Sequence, residues 1–289
     1  MRDNRAMDSP KLSRAPASVS ASPIAKADLI AGMAKGMAVL ESFDTQRQRL
    51  NATLAAGRAG LTRAAARRHL LTLAHLGYLE TDGGFFWLSA KVLRFSGSYL
   101  ATARLPRAVQ PTLNRLAAQA RESFSAVVLD GDEVVIVARS GFESRRSADD
   151  KTAPVAAVLA YGLHLGARLP AHATSTGRVL LAAKSKTEFN TWLKARLDSG
   201  GLPRLTVHTA TDARKLKTLV EQVRLDDFCL AAEEHELGVQ ALAVPLRDMQ
   251  GRTVAALNVV TTPQRLAGES RRDLLSLLMD AARELRPLL

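Results

Sequence analysis

The sequence predicts an α+β protein in two parts, and three observations lead to this fold class. Residues 27–76 carry apolar side chains at mostly helical spacings, and two short strand-like segments follow. After residue 122 the pattern changes to strand-like runs mixed with helices, without strict alternation of strand and helix, which favours a mainly antiparallel sheet. A length of 289 residues and a hydrophobic content of 47% are enough for two folded domains.

The charge of the chain indicates a polyanionic partner. The net charge is +12, from 40 Lys and Arg against 28 Asp and Glu. Residues 1–103 hold 14 of the basic residues and 7 of the acidic ones, so over half of the surplus lies in about the first third. Such a surplus suits nucleic acid or an anionic membrane surface.

The composition and the N-terminus argue against several other classes. The single cysteine, Cys229, excludes an intrachain disulfide and supplies no metal cluster. The N-terminus lacks the apolar segment of a signal peptide, and no window approaches the roughly 18 apolar residues of a membrane span. We therefore expect a cytoplasmic protein with no membrane association, no metal and no cofactor.

The first part of the chain has the pattern of a helix-turn-helix. Residues 1–25 are rich in Ser, Ala, Pro and charge and are expected to form a disordered arm. A domain at 26–89 follows, whose first helix carries an apolar stripe through Ile30, Met33, Met37, Val39, Leu40 and Phe43. A short helix at 51–59 then leads through a glycine turn into another at 63–76.

Two strands complete a winged helix-turn-helix. Residues 78–81 and 85–88 are predicted strands, and Asp82-Gly83-Gly84 between them has typical hairpin-turn chemistry. The helix at 63–76 alone fits a solvated basic surface equally well. The preceding turn and the following wing favour DNA binding, because a groove-reading helix has such neighbours.

The basic front of the second helix supplies the candidate DNA contacts. Thr62 can cap the helix, and an arginine can bind guanine O6 and N7 or a phosphate. We expect Arg63 or Arg67 on a base edge and Arg68 on phosphate; the alternative for Arg68 is a surface pair with Glu80 or another acid. The full set of candidate DNA contacts is Thr62, Arg63, Ala65, Arg67, Arg68 and Gly83.

The rest of the chain is assigned to a connector and a second domain. Residues 90–106 are predicted to be a linker helix, with an apolar stripe that Pro106 interrupts and that serves either self-association or packing. Residues 107–289 form the effector-binding and oligomerisation domain. Its predicted elements are strands at 124–130 and 133–138, a polar loop at 140–153, a β-rich segment to Leu165, helices at 174–184, 187–197 and 211–224, strands at 228–231, 239–246 and 253–260, and a last helix at 268–286.

The stretch 165–177 contains a candidate site for an organic acid. Gly166 and Ala167 leave room for a ligand near the backbone, and Thr174 or Ser175 can cap the following helix. A helix N-terminus offers free N–H groups that suit a carboxylate, which Arg168 or His172 could assist. The alternative is an ordinary glycine turn followed by a capped helix.

Enzyme functions find little support. Neither a Gly-x-Ser-x-Gly elbow, a phosphate-binding loop nor a His-Glu-x-x-His motif occurs in the sequence, so no catalytic residue is assigned. The segment 233–236 holds three glutamates and a histidine, but neighbouring residues of an extended segment point to opposite faces. We therefore expect a structural or effector-gating role for it.

Seven short blocks together resemble the IclR family of bacterial transcription regulators. Each block is weak alone, but their order over nearly the whole chain is specific; they lie at 36–43, 60–68, 76–80, 129–135, 169–182, 233–238 and 243–248. The narrower likeness is to regulators of aromatic-acid catabolism. The resemblance implies a winged-helix domain, a linker helix and a GAF-like effector domain, whose pocket wall would include Val239, Ala241, Asn258 and Val260.

The resemblance also implies the partners. They are double-stranded operator DNA, a small organic acid such as 4-hydroxybenzoate or protocatechuate, and a second copy of the chain in a dimer or dimer of dimers, with contact to RNA polymerase as a further possibility. The alternatives are a constitutive DNA-binding protein without effector, a regulator that responds to an aliphatic keto acid, and an enzyme tethered to DNA.

Overall fold

A computed structural model of the chain describes residues 24–25, 27–44, 47–140 and 163–289. Backbone contacts divide the chain into two compact units, and the boundary in the sequence lies between Ser96 and Gly97. The predicted N-terminal arm lies almost entirely outside the described residues, as do nearly all of the predicted loop at 140–153 and most of the β-rich segment after it. The domain limits predicted from the sequence stay predictions.

Three helices and a hairpin make up the N-terminal unit. They are α1 (Ala31–Leu40), α2 (Ala52–Ala59), α3 (Arg63–His75), β1 (Leu79–Thr81) and β2 (Phe86–Leu88). The Asn51 side chain accepts hydrogen bonds from the first turn of α2, and Gly60 ends that helix with a φ of 63°. The Thr62 hydroxyl accepts a hydrogen bond from the amide of Ala65 at 3.2 Å and so begins α3.

The core of this unit is built from small and branched side chains. Ala55 of α2 and Ala66 of α3 are fully buried, and their methyl groups let the two helices pack closely. Leu50 exchanges two backbone hydrogen bonds with Phe86 and extends the hairpin by one bridge. The predicted first helix is present, and the end of its apolar stripe enters the core through Val39, Leu40 and Phe43. The beginning of the stripe does not, because Ile30, Met33 and Met37 are exposed.

The connector consists of two helices, α4 (Leu93–Thr102) and α5 (Arg104–Ala120). The prediction that Pro106 interrupts the helical stripe is wrong. The two helices are separated at Ala103, which has an extended backbone. Pro106 lies in the first turn of α5, where its missing N–H removes no helical hydrogen bond. Helix α5 packs on the sheet of the C-terminal unit and buries Val109, Leu113 and Leu116 completely.

The C-terminal unit is organised around one antiparallel sheet of six strands in the order β5-β4-β3-β8-β7-β6. Helix α5 and the last helix cover one face, and the helix that follows β5 covers the other. The two ends of the unit lie together, since Arg104 Nε donates to the Leu288 carbonyl at 3.1 Å. The elements are β3 (Ser123–Asp130), β4 (Glu133–Ser140), β5 (Arg168–Pro170), α6 (Ser175–Ala182), α7 (Lys186–Asp198), α8 (Ala213–Asp226), β6 (Cys229–Ala232), β7 (Gln240–Arg247), β8 (Thr253–Thr261) and α9 (Gly268–Leu285).

This architecture confirms the predicted fold class, an α+β chain with a winged helix-turn-helix followed by an antiparallel-sheet domain. The predicted helix and strand positions after residue 122 agree with the structure within about three residues wherever the structure describes them.

Candidate functional site

Helix α3 presents three arginines to solvent. Arg63, Arg67 and Arg68 are exposed, whereas Ala66 and Leu70 anchor the opposite side of the helix in the core. Within the described ranges, none of the three guanidinium groups has an ion-pair partner or a hydrogen-bond partner. The alternative pairing of Arg68 with Glu80 is absent here, because the Glu80 carboxylate accepts from Trp87 Nε1 at 2.9 Å. The front of α3 therefore holds cations available to an anionic partner.

The hairpin next to α3 has a rigid turn. The Asp82 carboxylate accepts hydrogen bonds from the amides of Phe85 and Gly84, which lower the pKa of Asp82. Arg49 pairs with Asp82, and its guanidinium carbon lies 4.6 Å from the centre of the Trp87 ring. Gly83 lies exposed at the tip with a φ of 93°, a conformation that favours glycine.

Two predicted DNA contacts have structural roles as well. The Thr62 hydroxyl is used as the helix cap, and Ala65 is half-buried and supplies the capped amide. The structure brings Thr62, Arg63, Arg67 and Arg68 together on the first two turns of α3. DNA contact by any of these residues or by Gly83 stays a prediction.

A cavity of about 200 Å³ lies in the C-terminal unit. One wall is a face of the sheet, a second is the start of α6, and a third is the segment between β6 and β7. The residues that line it are Ser125, Val127, Ile136, Leu163, Leu169, Ala173, Thr174, Ser175, Thr176, Ala231, Glu234, His235, Glu236, Val239, Ala241, Asn258 and Val260.

A close backbone approach places the start of α6 at this cavity. The Thr174 hydroxyl accepts a hydrogen bond from the Gly177 amide at 3.1 Å and caps the helix. Gly177 packs against the short 3-10 turn Ala171–Ala173, and a Cβ at this glycine would lie 2.1 Å from the Ala171 carbonyl oxygen. Only a glycine fits this position without displacing backbone atoms.

Two buried polar atoms in the cavity wall lack partners among the described residues. Ser175 is 1% exposed and Asn258 is 7% exposed, and in that part of the chain neither Ser175 Oγ nor Asn258 Oδ1 has a hydrogen-bond partner. Buried polar atoms in folded proteins are nearly always hydrogen-bonded. One atom lies at the start of α6 and the other on β8, so a small ligand with two polar ends would satisfy both.

The structure places the predicted effector residues in two groups. The cavity is lined by Thr174, Ser175, Val239, Ala241, Asn258 and Val260. Its lining does not include Gly166, Ala167, Arg168 or His172. The predicted assistance of Arg168 and His172 to an acid at α6 does not fit their positions. Arg168 lies on β5, the edge strand of the sheet, His172 lies in the 3-10 turn after it, and both have other partners.

Those partners explain why neither residue offers a cation to the cavity. The Arg168 guanidinium bridges Glu133 at 2.7 Å and Asp130 at 2.8 Å. Burial lowers the pKa of His172, whose Nε2 lies 3.0 Å from the Pro203 carbonyl oxygen. Burial also lowers the pKa of His235, which lines the cavity, so this imidazole is uncharged at neutral pH.

A buried ion pair holds the third wall. Arg178 of α6 is 1% exposed, and its two terminal nitrogens bind the two oxygens of the Glu234 carboxylate. Arg178 Nε also donates to the His172 carbonyl, and the Ala210 amide donates to Glu234 Oε2 at 3.1 Å. The sequence prediction missed this pair, although an arginine inside an apolar helix already indicates a buried partner.

Neither a metal site nor a membrane span is found in the part of the chain that the structure describes. There, no group of three or more His, Cys, Asp or Glu side chains is placed to hold a metal ion. No helix there combines the length and the apolar character needed to cross a membrane.

Comparison with protein families identifies both units. The C-terminal domain of bacterial IclR transcriptional regulators matches residues 97–286, and the IclR helix-turn-helix domain matches residues 32–83. The chain belongs to the IclR family. The family consists of transcriptional regulators, so the helix-turn-helix of this IclR-family chain is a DNA-binding element, and the predicted DNA-binding regulator is confirmed.

Three relatives refine the comparison. The Pca operon regulatory protein of Acinetobacter baylyi is 48% identical over 91% of this chain and 90% of its own length. The p-hydroxybenzoate hydroxylase transcriptional activator of the same organism is 48% identical over 93% and 95%. A solved structure of a double mutant of the PobR inducer-binding domain from Acinetobacter, in complex with 3-hydroxybenzoic acid, is 43% identical, covers 64% of this chain and 98% of that one, and has a TM-score of 0.53.

Proposed function

We propose that this IclR-family regulator binds operator DNA under the control of an aromatic carboxylate, such as 4-hydroxybenzoate or protocatechuate, and regulates genes of aromatic catabolism. The observation that carries the proposal is the pair of buried, unpartnered polar atoms, Ser175 Oγ and Asn258 Oδ1, in a cavity of about 200 Å³. An engineered protein cavity of about 150 Å³ binds benzene, so this space suits one substituted ring.

The rest of the cavity wall supports an aromatic ligand. Val127, Val239, Ala241 and Val260 present apolar groups to the middle of the space, where a ring would bury its faces. The polar groups at α6 and on the sheet would meet the two polar ends of the ligand. The relatives support the same chemistry, because one is named for p-hydroxybenzoate hydroxylase activation and another was solved with a hydroxybenzoic acid.

The ligand would act by favouring one of two states of the protein. A ligand shifts such an equilibrium only through its different affinity for the two states. We extend the proposal to a cytoplasmic dimer or dimer of dimers that contacts RNA polymerase. The exposed apolar side chains of Leu93, Phe95 and Tyr99 on α4 support the self-association.

The first prediction tests the effector. Isothermal titration of the whole protein with 4-hydroxybenzoate, protocatechuate and β-ketoadipate is expected to give saturable binding of at least one of the two aromatic acids. The acid that binds should also change the affinity for an operator selected from random DNA by the wild-type protein. No heat with any of the three compounds would refute the proposed effector class, and binding of β-ketoadipate alone would establish the aliphatic alternative.

The second prediction concerns the DNA interface. Arg67→Ala is expected to weaken binding to the selected operator at least about fivefold at fixed salt, because an arginine contact to a base is worth about 1–3 kcal/mol. Fluorescence anisotropy at several salt concentrations measures both the affinity and its salt dependence. A base contact should relax the preference at one position of the operator, whereas a phosphate contact should weaken all sequences alike.

The matched control for this variant is Arg214→Ala. Arg214 is an exposed arginine of α8 in the C-terminal unit, so its loss changes the net charge equally but removes no residue of α3. It is expected to bind the operator nearly as well as the wild type. Equal losses in the two variants would show that only net charge matters and would remove Arg67 from the interface.

A further inference from the structure

A row of polar residues crosses the cavity face of the sheet. Arg139 of β4 lies directly opposite Ser125 of β3, and Ser125 lies directly opposite Asn258 of β8. Opposed residues of antiparallel strands share a face, with Cβ atoms about 4.5–5.5 Å apart. The register between β3 and β4 shifts between Ala126 and Val127. Because of this shift, Ile136 and Arg139 of β4 both lie on the cavity face of the sheet, as Ser125 and Val127 of β3 do. Arg139 is not itself among the residues that line the cavity, but it is the immediate neighbour of one of them, Ser125.

Among the described residues, Arg139 is a half-buried cation without a counterion. Its Nε is buried and has no hydrogen-bond partner there, and no acid of that part of the chain pairs with its guanidinium. Burial lowers the pKa of Arg139, which is the cost of holding the charge away from water. A buried unpaired charge is strongly unfavourable, and an anion that binds beside it removes that cost.

The other basic groups near the cavity are paired or uncharged. Arg178 is paired with Glu234, and Arg168 is paired with Glu133 and Asp130. His235 has a lowered pKa and carries no charge at neutral pH. Arg139 is thus the cation in the described surroundings of the cavity that an anionic ligand can use.

We propose that Arg139 binds the carboxylate of the effector, with Ser125 as a second hydrogen-bond donor. The inference rests on the proposed function and fixes the orientation of the ligand in it. The carboxylate lies at Arg139 and Ser125 on the sheet, and the ring hydroxyl lies between Asn258, whose Oδ1 accepts its hydrogen bond, and Ser175 at the start of α6. A full guanidinium charge attracts a carboxylate more strongly than the partial charge at a helix start, and its planar fork matches both oxygens.

The test compares a charged and a neutral ligand of the same shape. The whole protein and its Arg139→Gln variant are titrated calorimetrically with 4-hydroxybenzoate and with 4-hydroxybenzamide. Arg139→Gln is expected to lose about tenfold to a hundredfold in affinity for the acid and less than about twofold for the amide. Arg168→Gln, which removes an arginine of β5 outside the cavity lining, is the matched control and should change neither affinity.

Each outcome decides the assignment. Unchanged affinity of Arg139→Gln for the acid, or equal losses for acid and amide, overturns it, because the residue then has no role specific to the charge. Should Arg139→Gln fail to fold, Arg139→Lys takes its place, because it keeps the charge but loses the planar guanidinium group. This variant is still expected to lose affinity for 4-hydroxybenzoate and to keep its affinity for 4-hydroxybenzamide. If the wild-type protein binds neither 4-hydroxybenzoate nor protocatechuate, the proposed function itself fails, and this inference fails with it.

Discussion

Gly177→Ala is expected to destabilise the C-terminal unit by about 3 kcal/mol or more and to abolish effector binding. The added Cβ would lie 2.1 Å from the Ala171 carbonyl oxygen and 2.4 Å from the Ala171 Cα, and these backbone atoms cannot rotate away. Helix α6 would have to move off the 3-10 turn, which displaces Ser175 from the cavity. Urea unfolding followed by circular dichroism measures the loss, and titration with 4-hydroxybenzoate measures the binding.

Gly57→Ala supplies the control for this variant. Gly57 lies inside α2, and a Cβ there would meet no atom within 4 Å. Alanine in place of a helical glycine normally stabilises by about 0.5–1 kcal/mol, so this variant should be slightly more stable than the wild type. A stabilising effect of both substitutions would mean that α6 and the 3-10 turn are not held in close contact.

Arg178→Met is expected to cost about 3–5 kcal/mol of stability, because it leaves the Glu234 carboxylate without its buried counterion. The double variant Arg178→Met with Glu234→Gln should recover a large part of this loss, since no unpaired charge remains. Urea unfolding of the two single variants and the double variant measures the coupling between the residues.

An exposed ion pair provides the comparison. Arg283 and Asp280 pair on α9 with side chains that are 77% and 60% exposed. Arg283→Met should change the stability by less than about 1 kcal/mol, because water already solvates both charges. If Arg178→Met were no more harmful than Arg283→Met, the buried pair would not be what holds the segment between β6 and β7.

The parts of the fold that depend on neighbouring residues could be predicted from the sequence. Asn51, Gly60 and Thr62 act within one or two turns of their own helices, and the structure has α2 and α3 where those signals place them. The hairpin at Gly83 follows from the chemistry of three consecutive residues. Such signals need no knowledge of distant packing.

The parts that depend on packing between distant segments could not be predicted. An apolar stripe does not say whether its side chains enter the core, so the exposure of Met33 and Met37 required the structure. A proline is equally compatible with the end of one helix and the first turn of the next, so Pro106 gave the wrong boundary.

The candidate effector site shows the same division. Arg168 was expected to assist carboxylate binding because it is close to Ser175 in the sequence. In the structure it lies on β5, at the edge of the sheet, and its side chain binds Asp130 and Glu133. The relation of Arg139 to Asn258 depends on strand register across more than a hundred residues of chain. Ser125, a polar residue in the otherwise apolar middle of β3, was the one local feature of the sequence that indicated this polar row.

The contact between Arg104 and Leu288 bears on how the C-terminal unit could be used in other proteins. Its first helix and its last residues meet, and β3 and β8 are paired at the centre of its sheet. A domain whose two ends lie side by side can be inserted into a loop of a host protein without forcing the two ends of that loop apart. The unit from residue 104 onward therefore offers two adjacent attachment points for insertion into such a loop.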